Sequence, residues 1–94
     1  MTWSIVASDP QTNRVGVAVA SRFYAVGAIC PWTASGVGAV STQALINPYF
    51  GPQVLRLLED GVAVHTAINA LTADDPQLAQ RQVHAVAADG TAAA

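Results

Sequence analysis

The chain has 94 residues, 52% of them hydrophobic and 11% charged, with a net charge of −2. It has no lysine, and Arg14, Arg22, Arg56 and Arg81 are scattered, so the clustered cations that nucleic acid or an anionic membrane surface would attract are missing. Cys30 is the only cysteine, which excludes an internal disulfide and a cysteine-based zinc site.

The length fits one domain at most, covering residues 1–94. Ordinary soluble domains are about 25% charged. A chain this apolar therefore reads as part of a larger core, or as one subunit of a tight homo-oligomer. The start of the chain lacks a basic region followed by an apolar stretch, so it does not read as a secretory signal. No apolar run reaches about 18 residues, so no membrane-spanning helix is expected and the default location is cytoplasmic.

Residues 2–8 alternate as a strand, with Trp3, Ile5 and Ala7 on one face and Thr2, Ser4, Val6 and Ser8 on the other. Asp9 and Pro10 open a turn through Asn13. Residues 14–20 form the cleanest strand, and the two strands read as an antiparallel hairpin. Val15, Val17 and Val19 share a face that seeks burial. Gly16, Ala18 and Ala20 share the other, and its small side chains predict a further layer packed close, so that this sheet is covered on both sides.

Residues 22–30 are strand or extended loop, ending at Pro31. Gly36 to Ser41 is a second strand of small residues, where glycine marks close approach of backbone or ligand. Asn47-Pro48 and Gly51-Pro52 are helix-start signals, followed by Val54, Leu55, Leu57 and Leu58, with Gly61 as the cap. A second helix runs from Val62 to Leu71, with Val64, Ala67, Ile68 and Leu71 on one face. Asp74 and Asp75 read as a cap before a short further turn of helix. Residues 82–88 return to strand, and Asp89-Gly90 is a hairpin turn. Thr91 to Ala94 would begin the next strand, which predicts a truncated or partly sequenced domain. Strands, then helices, then strands give an α+β class with helices packed on sheets.

Several segments carry a resemblance. They are Thr2-Trp3-Ser4-Ile5-Val6-Ala7, Val17 to Phe23, Val26-Gly27-Ala28 with Pro31-Trp32, and Gly36 to Ala44 followed by Asn47-Pro48 and Gly51. In this order they resemble the bacterial family known as domain of unknown function 1028, which is grouped with the Ntn hydrolases. The resemblance implies a four-layer αββα sandwich, incomplete in this chain because members are about twice its length. It also implies a nucleophile at the mature N-terminus, on the first strand.

Thr2 is then the candidate catalytic residue. Its α-amino group, free once Met1 is removed, has an ordinary pKa of about 7.7–8.0 and can act as base for the hydroxyl of the same residue. The bond attacked would be an amide or peptide bond. Threonine-type members of the class pair this nucleophile with an acid near the end of the second strand and a lysine on the third. Here Ala20 falls where the acid would be, and lysine is absent. Arg22 is the substitute cation close in sequence. Ser41, Thr42 and Gln43 follow the glycine-rich strand where the class supplies backbone N–H groups to an oxyanion hole. Asn47 is a candidate substrate contact, although its place before Pro48 favours a helix cap.

Other residues read as structural. His65 and His84 have no ligand spacing, so no metal is expected, and no cofactor either. Cys30 reads as a small buried apolar residue, and Trp3 and Trp32 as core, with Trp32 able to flank a cleft. Three functions fit the residues: an Ntn-type amidohydrolase using Thr2, a non-catalytic binding or assembly module on the same fold, and an Ntn enzyme with another nucleophile such as Ser41 or Thr42.

Overall fold

A computed structural model describes all of residues 1–94. Two antiparallel sheets and two helices stack in the order helices, four-stranded sheet, two-stranded sheet. The small sheet is the hairpin of β1 (Thr2–Asp9) and β2 (Arg14–Ser21), paired in register from Thr2↔Ser21 to Asp9↔Arg14. The larger sheet has the order β3 (Pro31–Ala34), β4 (Gly38–Ala44), β5 (Arg81–Ala87), β6 (Ala92–Ala93). The helices α1 (Phe50–Glu59) and α2 (Val64–Thr72) cover its far face.

The core lies between helices and sheet. Val40 from β4 and Val83 and Ala85 from β5 meet Phe50, Val54, Leu55, Val64, Ala67 and Ile68 from the helices. Each large aliphatic side chain buried there contributes about 1.5–3 kcal/mol. Gly51 lets α1 sit directly on Trp32, because a Cβ at Gly51 would overlap the indole ring. Gly38 does the same for the strand pair, where a Cβ would lie 2.6 Å from the Val86 carbonyl oxygen.

Strand periodicity assigns the hairpin faces as expected: Thr2, Ser4, Val6 and Ser8 are half-buried, as are Val15, Val17 and Val19. The opposite face differs from expectation. Trp3 is 71% exposed and Ile5 64%, and Ala18 and Ala20 are exposed beside them. This chain supplies no layer over that face, so Trp3 is a surface residue rather than core.

Local boundaries also shift. Residues 22–30 form a loop with a single 3-10 turn at Val26–Ala28, and the strand begins at Pro31. Proline is tolerated there because it is the first residue of its strand. β4 runs on to Ala44, since its ladder with β5 continues to Ala44↔Arg81. α1 starts at Phe50, and α2 at Val64. Asp74 and Asp75 do not cap an α-helix. Asp75 accepts from the Gln77 N–H and binds Arg81, bracketing a 3-10 turn at Leu78–Gln80. No helix is long and apolar enough to cross a membrane.

Candidate functional site

Alternation on three strands directs a set of polar side chains into the space between the two sheets. Thr2 and Ser4 project from β1, Ser41 and Gln43 from β4, Gln82 and His84 from β5. Ser41 pairs with His84 and Gln43 with Gln82 across the β4–β5 ladder, so each pair shares this face.

Gln43 is the centre of the set. It is 6% exposed, and both ends of its amide are occupied. Its Nε2 donates to the Thr2 carbonyl at 3.3 Å and to Gln82 Oε1 at 2.7 Å. Its Oε1 accepts from the hydroxyls of Ser4 and of Ser41. A backbone carbonyl can only accept, so the amide nitrogen must face Thr2. The single hydroxyl proton of Ser4 then goes to Gln43 Oε1. Ser4 Oγ lies 2.7 Å from His84 Nε2 and is left to accept. His84 therefore carries its proton on Nε2 and donates it to Ser4. Burial pushes the His84 pKa below its ordinary 6.5, which keeps the ring neutral at pH 7. A serine beside a histidine suggests a nucleophile and its base, but here the imidazole is the donor, so it cannot take the Ser4 proton.

Thr2 lies at the end of the same network. It is half-buried, and its Oγ1 donates to Ser21 Oγ at 3.0 Å, across its own register pair. Ser21 Oγ donates to the Met1 carbonyl at 3.3 Å and accepts from the Phe23 N–H at 3.1 Å. Ser21 thus spans the Met1–Thr2 peptide group and the Thr2 hydroxyl. Arg22, next along the chain, is exposed and forms no ion pair; the one salt bridge of the protein is Arg81–Asp75.

The remaining sequence candidates have other partners. Ser41 and Thr42 are fully buried. The Thr42 N–H donates to the Cys30 carbonyl at 3.0 Å, and the Thr42 hydroxyl to the Asn47 carbonyl at 3.2 Å. Asn47 Oδ1 accepts from the Tyr49 N–H, closing the turn ahead of α1, while Tyr49 itself occupies the cap position. Thr2 and Gln43 thus come together, whereas Arg22 and Asn47 stand apart from them in the bonding pattern. Sequence reading left out Ser4, Gln82 and His84. Part of their signal was available: all three are polar and share strand parity with an inward valine, Val6 on β1 and Val86 on β5.

His84 also lines a groove of about 490 Å³ at the outer edge of β5, with Asn69, Thr72, Arg81 and Gln82. No group of three or more His, Cys, Asp or Glu side chains comes together. His65 is exposed and bonds Asn69, and Cys30 is buried, where desolvation raises its thiol pKa.

The pattern of the family of unknown function DUF1028 matches residues 2–94. The fold is similar to the crystal structure of a DUF1028 protein from Silicibacter pomeroyi, at 34% identity with a TM-score of 0.91. That likeness covers 98% of this chain and 41% of the other, so the chain spans about two fifths of the length of the protein it matches. Among curated proteins, no match was found.

Proposed function

The chain belongs to the DUF1028 family, and from that premise we propose that it is the nucleophile-bearing part of an Ntn-type amidohydrolase, with an αββα sandwich as the complete fold. One observation carries this reading: the Thr2 hydroxyl is bonded to Ser21 Oγ, which also reaches the peptide group joining Met1 to Thr2. Loss of Met1 would leave the new α-amine beside the hydroxyl of its own residue, with Ser21 next to both. The amine takes the hydroxyl proton as Oγ attacks an amide carbonyl carbon, and returns it to the leaving nitrogen when the C–N bond breaks. Water then hydrolyses the acyl ester at Thr2. Arg22 is the cation that favours the neutral amine, and a small amide or peptide is the substrate class. The exposed Trp3 and Ile5 face supports association in a homo-oligomer, and the expected setting is the cytoplasm.

A second reading has its own support. The Thr42 N–H is bonded to Cys30, and Ser41 and Gln43 sit inside a paired strand, so these residues offer no free donors for an oxyanion. That favours a binding or assembly module on the same fold. Intact mass and N-terminal sequencing, followed by treatment with a peptide β-lactone, separate the two. The enzyme reading expects Met1 to be absent and one probe mass added at Thr2. Retained Met1, or a free Thr2 that stays unlabelled, would sink it.

A further inference from the structure

We propose that Gln43 is a positioning residue for Thr2: its buried side-chain amide grips the Thr2 carbonyl and fixes how the Thr2 hydroxyl and amine are presented at the start of β1. The inference rests on Thr2 as the reactive residue.

Gln43 is a costly side chain to bury at this place. A glutamine between two sheets must have every donor and acceptor satisfied, and an apolar residue of similar size would avoid that demand. Elsewhere the same inward faces carry Val6, Val17 and Val86, so aliphatic side chains are accepted between the sheets. Instead two donors and two acceptors are all engaged, by four different residues on three strands. Gln82 and Ser41 orient the amide within its own sheet, and Ser4 and Thr2 are what it reaches across the gap. Both lie on β1. The contact at Thr2 is to the backbone, so it constrains the chain itself and survives any change of Thr2 side chain. No donor is left over for a ligand, which separates this role from substrate contact.

Within its hairpin the start of β1 is held by the Thr2↔Ser21 pair and the hydroxyl bond between them. The outward side of Trp3 is open. The Gln43 grip is the inter-sheet bond to the backbone at that point, and a misplacement of about 1 Å at a reacting group costs up to about a hundred-fold in rate.

The test compares the full chain with Gln43→Met and with Gln82→Met, the latter loosening the grip from an exposed position. Two measurements are made. The first is the rate of Thr2 acylation by the peptide β-lactone, in which Thr2 Oγ bonds the lactone carbonyl carbon, the ring C–O bond breaks, and the hydroxyl proton passes through the amine to the released alkoxide. The second is hydrogen exchange at the Trp3 amide, which shares its peptide group with the Thr2 carbonyl. Positioning expects Gln43→Met to acylate at least about ten-fold more slowly at saturating probe with an unchanged half-saturating concentration, with Trp3 exchange about ten-fold faster. Gln82→Met should move both in the same direction by less. Equal acylation rates, or a rise in half-saturation alone, would overturn the proposal. If the parent protein does not acylate, the Thr2 reading fails by itself, and the exchange measurement decides the grip: unchanged Trp3 exchange in both variants disproves it, and faster exchange upholds it. Should Gln43→Met not fold, Gln82→Met is read by the same criteria.

Discussion

Ser4 and His84, eighty residues apart in sequence, meet between the two sheets with Oγ 2.7 Å from Nε2, and the shared proton belongs to the imidazole. The direction is dictated by the Thr2 carbonyl, through Gln43. A pair that resembles a serine with its base is thereby turned into a structural clasp.

The clasp makes stability depend on pH. The folded protein holds His84 neutral and its pKa is lowered by burial, whereas the unfolded chain titrates near 6.5. Above 6.5 both states are neutral and nothing is lost. As pH falls below 6.5 the unfolded chain gains its proton first, so stability declines until the lowered folded value is passed. Urea unfolding at pH 7.5 and 5.5 should give a lower midpoint at 5.5, and His84→Gln should reduce that difference.

The approach of α1 to β3 tolerates no side chain at Gly51. Gly51→Ala should destabilise by about 1–3 kcal/mol, because the added methyl must displace the Trp32 ring. Thermal unfolding measures the loss. Combining it with Trp32→Val should cost less than the sum of the two single changes, since the clash disappears with the ring.

On the open hairpin face, replacement should be nearly free. Trp3→Ser with Ile5→Thr should alter stability by no more than about 0.5 kcal/mol per site, as both are more than half exposed. The same pair should lower self-association in sedimentation velocity run over a range of concentrations.

Asp75 is held below its ordinary carboxylate pKa of 3.8, chiefly by the Gln77 N–H and further by Arg81. Its stabilising effect is present above 3.8 and is lost as pH falls through the lowered folded value. Asp75→Asn should weaken the protein at neutral pH and flatten its acid response as pH falls below the ordinary carboxylate value of 3.8. Arg81 also donates to the Leu45 carbonyl and lies 5.7 Å from the Phe50 ring centre, so amide exchange in the 75–81 loop should quicken in this variant.

The hairpin was legible from the sequence because period-two alternation is local: Val15, Val17 and Val19 go inward, as their branching suggests. The helical faces of Val64, Ala67 and Ile68 were legible for the same reason. The reach of β4 to Ala44 was not, because a ladder with β5 decides it and the partner there, Arg81, is 37 residues away. β3 was hidden by Pro31, which reads as a stop but serves as a strand's first residue. Trp3 misled because size and apolarity say nothing about which face of a two-stranded sheet a chain covers. The Gln43 network depended on knowing that three strands stack, although the parity of Ser4, Gln43 and His84 already set them on inward sides. The family resemblance supplied Thr2, and the structure supplied what holds it.

The contact between the sheets has one more property. Ser4, Ser41, Gln43, Gln82 and a neutral His84 form it without a net charge, and the protein has one ion pair in all. Mobile ions weaken attractions between charges, over a range that shrinks from ~8 Å at physiological ionic strength to ~3 Å at 1 M. A seam of dipoles gives them little to act on. The two layers should stay joined in concentrated sodium chloride as firmly as in dilute buffer.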